Sequence, residues 1–200
     1  MKVVSVKDGV RLLSRISDSE YRYLRADTNT HTLQVIDYAH HEIHGGSMFR
    51  VQGNATAAAL IIAFKVPDQA KEPHFTFEWS SESSGYIQLL EGYTWTAGTG
   101  VDRAPKNSNR NSSNTSVLQG NATGAWVSDY VTIDPTGGSG GTVISDKRFY
   151  TDDKQGSNSG SRKNEIVLAT NQTYALIFTS TDGSKGIQIR CEWYEHTPKT

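Results

Sequence analysis

Apolar side chains in this chain recur at every second position. In His74-Phe75-Thr76-Phe77-Glu78-Trp79 the aromatic residues take the odd positions and the polar residues the even ones, and Ile187, Ile189, Cys191 and Trp193 repeat the pattern against Gln188, Arg190, Glu192 and Tyr194. A period of two belongs to a strand with one buried face, because successive Cβ atoms point to opposite sides of a sheet. Helix signals are nearly absent. The chain is therefore expected to be all-β and antiparallel.

Runs rich in Val, Ile, Thr, Tyr, Phe and Trp, separated by Gly, Asn, Ser and Asp clusters, place the strands. Strands are expected at Val10 to Ile16, Tyr21 to Arg25, Thr32 to Ala39, Ser47 to Gln52, Ala57 to Val66, His74 to Trp79 and Tyr86 to Leu90. Later ones are expected at Ala125 to Ile133, Val143 to Tyr150, Glu165 to Ala169, Thr173 to Ser180 and Ile187 to Tyr194. The Ala59 to Phe64 centre is apolar throughout, as in a strand covered on both faces; Pro67 ends it. Ser81 to Gly85 has the length of a hairpin connection. Asp182-Gly183, within Thr181 to Gly186, supplies the φ > 0 positions of a tight return, so the last two strands are expected to pair as a hairpin.

More than ten short strands without crossover helices favour an antiparallel β-sandwich, jelly-roll-like, with long polar loops. At 200 residues the chain is expected to form one domain over 1-200, with residues 1-27 as an N-terminal arm or peripheral strands. The loops Gly98 to Gln119, Asp134 to Thr142 and Thr151 to Asn164 are polar, so they are expected to be mobile or ordered by a neighbouring subunit. Gly137-Gly138-Ser139-Gly140-Gly141 reads as the most flexible of these. Gln52-Gly53-Asn54-Ala55-Thr56 recurs as Gln119-Gly120-Asn121-Ala122-Thr123; chance is a fair explanation for five residues of this composition, and a turn-plus-strand reused in two halves is the sharper one.

Charge and cysteine content narrow the function classes. Twenty Lys and Arg against 21 Asp and Glu leave a net charge of -1 without large blocks of one sign, so neither nucleic acid nor an anionic membrane is an expected partner. Arg11, Arg15, Arg22 and Arg25 are offset by Asp18, Glu20 and Asp27. The N-terminus carries no apolar stretch of signal-peptide length, so synthesis in a cytosol is expected. The single cysteine, Cys191, shares strand parity with Ile187, Ile189 and Trp193, which marks it as a buried structural thiol.

Potential ligands are densest in His40-His41-Glu42-Ile43-His44. On an extended chain His40, Glu42 and His44 project to one side, and two imidazoles with a carboxylate are the residue types of a zinc or non-haem iron site. Alternate residues on a strand are about 6.6 Å apart, too far for three neighbours to close on one ion. Copies of His40, Glu42 and His44 meeting across a symmetry axis would lift that objection; without that, the cluster reads as hydrogen bonding at a strand-turn junction, which Gly45 and Gly46 mark. No nucleophile elbow, phosphate loop or carboxylate pair with catalytic context is present, so no catalytic residue is assigned, no cofactor is expected, and the chain reads as a binding protein. Trp79 and Trp193 fall on core parity, whereas Trp95 and Trp126 are the candidates for stacking on a carbohydrate.

Four strings, in order along the chain, carry a resemblance. They are Asp37-Tyr38-Ala39-His40-His41-Glu42-Ile43-His44-Gly45-Gly46-Ser47, Asn109-Arg110-Asn111-Ser112-Ser113-Asn114-Thr115, Glu165 to Leu168 with Asn171 to Tyr174, and Glu192-Trp193-Tyr194-Glu195-His196-Thr197. From about Thr28 onward the chain resembles a family of small virion-associated proteins of tailed bacteriophages. The resemblance implies a structural protein of the virion that decorates or cements the capsid, with a fibre or tail accessory module binding a host glycan or receptor as the alternative. It also implies assembly as a homotrimer or homodimer on the major capsid protein. Interface candidates are His40, His41, Glu42, His44, Asn109, Arg110 and Asn111, within the His40 to Ser47 junction and the Gly98 to Gln119 loop; the segment Met1 to Arg15 is a third.

Overall fold

In a computed structural model the chain is described over residues 2–6, 9–15, 21–23, 38–119, 131–150, 156–158 and 165–196, with side chains described for 41–118, 131–150 and 165–196. The elements are β1 (Lys2–Val6), β2 (Gly9–Arg15), β3 (Tyr21–Tyr23), a helix α1 (Tyr38–Gly45), β4 (Met48–Thr56), β5 (Ala59–Val66), β6 (Glu72–Ser81), β7 (Gly85–Glu91), β8 (Val101–Asp102) and β9 (Lys106–Asn107). After a 3-10 turn at Val117–Gln119 come β10 (Val131–Ile133), β11 (Thr142–Phe149), β12 (Gly156–Asn158), β13 (Ile166–Val167), β14 (Gln172–Ser180) and β15 (Gly186–His196).

The chain divides into two compact units, Met1–His41 and Glu42–Thr200. The first holds an antiparallel sheet in the order β1-β2-β3. The second is built from two antiparallel sheets. A front sheet runs β11-β7-β14-β5-β10-β8; a back sheet runs β12-β6-β15-β4-β9, with β13 also paired to β6.

Period-two patterning decides which side chains meet between the sheets. On β6, Phe75, Phe77 and Trp79 are buried, and on β15 so are Ile187, Ile189, Cys191 and Trp193; these face Leu60, Ile62 and Phe64 of β5 and Leu176 and Phe178 of β14. Aromatic rings cross the interface: Phe64 to Phe75 at 5.2 Å, and Trp79 to Phe178 at 5.8 Å. Each such burial contributes about 2 kcal/mol, which ties both sheets to one interior. β5 is also covered on its outer face, where Ala63 packs with Tyr93 and Ala175, as its unbroken apolar centre requires.

Two expected hairpins are not formed. β6 and β7 lie in different sheets, as do β14 and β15, so Ser81 to Gly85 and Thr181 to Gly186 arch across the sandwich instead of returning within one sheet. β4 and β5 are joined across the sheets in the same way. The arches hold one another: Ser180 N donates to Ala58 O at 2.8 Å, Thr181 N to Ser84 O at 2.9 Å and Glu82 N to Gly186 O at 3.1 Å. Ser83 Oγ also meets Ser180 Oγ. These bonds satisfy turn polar groups across connections, which frees each connection from closing on itself.

Of the expected strand Thr32 to Ala39, residues 32–37 lie outside the described residues, and Tyr38 and Ala39 belong to α1. Ala125 to 130, most of the second pentapeptide copy, and 151–155 and 159–164 of the third loop also lie outside them. The first pentapeptide copy is the second half of β4.

Candidate functional site at a helix-loop corner

The sequence Glu42-Ile43-His44-Gly45-Gly46-Ser47 ends a helix, where an extended strand-turn junction was expected. Gly46 has φ 71°, the left-handed conformation that costs an L-residue about 1–2 kcal/mol. From there its N–H bonds Ile43 O at 3.0 Å and that of Ser47 bonds Glu42 O at 3.0 Å, the paired bonds of a Schellman C-cap. Glu42 is 7% exposed, and Ser47 Oγ donates to its carboxylate.

The carbonyls that the cap leaves over are taken by asparagines from the end of β9 and the loop between it and the 3-10 turn. Asn109 Nδ2 donates to His44 O at 3.1 Å, Asn107 Nδ2 to Gly46 O at 2.9 Å and Asn114 Nδ2 to Gly46 O at 3.2 Å. Within the loop, Asn109 N donates to Asn107 Oδ1 and Asn111 N to Asn109 Oδ1. Short amide side chains suit this task because each can bond backbone close to itself while still reaching a neighbouring carbonyl. The far end of the loop is fixed by Glu195. Its carboxylate accepts from Ser116 Oγ at 2.5 Å, Val117 N at 3.0 Å and Trp193 Nε1 at 2.8 Å. Burial pushes the Glu195 carboxyl above the ordinary carboxylate range, while these three donors and the charge of Lys71 pull it the other way.

Two of the candidate segments, nearly 65 residues apart in sequence, thus form one corner. The loop Gly98 to Gln119, expected to be mobile or ordered by a neighbour, is ordered over its Asn107 to Val117 part by its own chain. Its residues divide by role. Glu42 and Asn109 hold the corner together, whereas His44, Arg110 and Asn111 are exposed. His41 is exposed on α1 in the N-terminal unit, and the His40 side chain lies outside the described residues.

The helix also changes the ligand geometry. Successive residues of an α-helix are about 100° apart, so Glu42 is turned away from the side of α1 that carries positions 40 and 44. Glu42 and His44 therefore do not share a side of α1, and the three-residue ligand set expected on an extended chain is not formed by that stretch. Among the described residues no group of three or more His, Cys, Asp or Glu side chains is placed to hold a metal ion.

The remaining candidates separate. Trp95 is half-buried on the outer face of the front sheet, its ring 6.4 Å from that of Tyr93, with Lys65 Nζ 5.4 Å from its centroid. Trp126 lies outside the described residues. The glycine-rich stretch 137–141 is not a free linker: Thr94 and Ser139 exchange backbone bonds of 3.0 and 2.9 Å, and Thr96 N donates to Thr136 O. Gly138 lies so close to the Tyr93 hydroxyl that a side chain there would overlap it. Cys191 is 1% exposed, and burial raises its thiol far above the range of a reactive one.

A constellation that the sequence did not reveal sits on the outer face of the back sheet. His74 Nδ1 is 2.7 Å from Glu165 Oε1, to which Tyr194 Oη donates at 2.8 Å, and the His74 ring stacks on Tyr194 and on His196, each at 4.5 Å. Alternation places His74, Tyr194 and His196 on outward parity, yet their meeting depends on the β6/β15 register, which no single segment encodes. Glu165 immediately precedes β13, which pairs beside His74. The cluster therefore pins the end of a long connection to the sheet. Comparison with protein-family models, with curated proteins and with solved structures returned no match.

Proposed function

We propose that this protein is a structural component of a tailed-bacteriophage virion that binds the capsid surface as a decoration or cement protein. It would act by multivalent protein-protein contact rather than by catalysis. The observation that carries this reading is the corner itself: a polar loop, tied down by hydrogen bonds within its own chain, presenting His44, Arg110 and Asn111 outward. A surface ordered before it meets a partner loses less entropy on docking, and many modest copies then add through avidity.

The strand order supports a jelly-roll reading of the sandwich. The four strands β4-β15-β6-β12 of one sheet face β5-β14-β7-β11 of the other, and along these eight the chain changes sheet at every step except from β7 to β11. Shell and lectin domains both use that architecture, and fold alone does not select between them. In this reading the protein is made in the host cytosol, assembles as a homotrimer or homodimer, and resides in the virion on the major capsid protein.

The test is to add purified protein to bare expanded phage shells and image them. Ordered density at lattice axes is the expected result; density at a single vertex, or none, contradicts it. A second reading, a fibre or tail module binding a host glycan, is favoured by the Trp95/Tyr93 pair on the outer sheet face. It requires glycan-array binding that disappears in Trp95→Ala.

A further inference from the structure

A groove of about 470 Å³ opens beside β4 and β9, lined by Arg50, Arg103, Lys106 and Arg190 together with Val51 and Gln52. Arg50 and Lys106 stand directly opposite each other across the β4/β9 pair, and like charges in that position repel. Among the described residues no carboxylate forms an ion pair with Arg50, Arg103 or Lys106. Glu192, opposite Arg50 on β15, is instead engaged by Arg190, whose other terminal nitrogen is 4.0 Å from Glu78. Arg190 Nε is buried without an acceptor. Beyond Arg50 the outer edge of β4 pairs with no strand among the described residues.

From this unneutralised charge we infer that the groove is a binding site for a compact oxyanion, namely a carboxylate on an acidic segment of a partner protein. The inference deepens the docking reading and rests on it for the source of the anion. Arginine forks match a carboxylate through paired N–H bonds. Glu78 and Glu192 border the groove and oppose a long polyanion, and among the described residues no aromatic ring lines it to stack a nucleobase. One or two acidic side chains therefore fit it better than a nucleic-acid backbone.

Calorimetric titration at low ionic strength tests the site with three probes: a hexaglutamate peptide, inorganic phosphate and a thymidine oligonucleotide. Saturable peptide binding is expected, weakened at least about tenfold in the Arg103→Ala/Lys106→Ala double variant and unchanged in Lys185→Ala. Both altered groove residues are exposed, so the melting temperature should stay constant. Absence of peptide binding, equal binding by the double variant, or tighter binding of phosphate or oligonucleotide than of peptide overturns the assignment. Failure of the docking reading would look different: native protein that binds the peptide but not shells keeps the groove and removes the capsid as its partner.

Discussion

The Glu195 carboxylate sits where the last strand, the indole of Trp193 and the end of the long polar loop converge, and it serves all three. Removing it in Glu195→Ala would leave the buried Val117 N–H without an acceptor and the Trp193 indole N–H with Ser116 Oγ alone, at 3.2 Å, at a cost of about 2 kcal/mol, read by denaturant unfolding. Its titration gives a second signature. Burial raises the folded-state value above the unfolded one, so the folded protein binds the Glu195 proton more tightly. The resulting contribution to stability is complete below the ordinary carboxylate range and is lost as pH rises through the raised folded value. The melting temperature should therefore fall less steeply with rising pH in Glu195→Gln than in the native protein. Gly46 is the other single position on which the corner turns. Gly46→Ala combines a left-handed backbone with overlap against the Ser112 hydroxyl, and a loss of at least about 1–2 kcal/mol is expected.

Elements were legible to unequal degrees, for physical reasons. β5, β6, β7, β14 and β15 lie where alternation and apolar runs place them, because one-sided burial imposes a period of two. α1 was not legible as a helix. Its Tyr38–Gly45 span completes little more than two turns, and three histidines and a glutamate supply almost no apolar stripe. The readable sign was the Gly45-Gly46 pair, which marks a helix C-terminus as readily as a turn. The arches are not legible in their own residues because Ser-rich and Asp-Gly connections suit a hairpin and an arch alike. What separates them lies elsewhere in the chain, in the bonds that Ala58 and Ser84 make to the Ser180 to Thr181 connection. Ser180→Ala removes the buried hydroxyl that meets Ser83 and Asp182, so about 1–2 kcal/mol of stability should be lost, with amide exchange accelerated in both arches.

At the scale of the whole molecule, two sheets enclosing one interior set the corner as a fixed surface, and the proposed docking falls on its outward side chains rather than on those that build it. Asparagine-rich and histidine-rich segments were each visible in the sequence as candidates. Their meeting was not, since it depends on side-chain bonds between residues 61 to 69 positions apart. The most direct measurement is co-sedimentation of protein with expanded shells, comparing the native chain with an Arg110→Glu variant whose altered position is exposed. An unchanged melting temperature with at least about tenfold weaker shell binding is the result that reversed rim charge predicts. Shell binding by the variant equal to that of the native chain would contradict the role given to the corner.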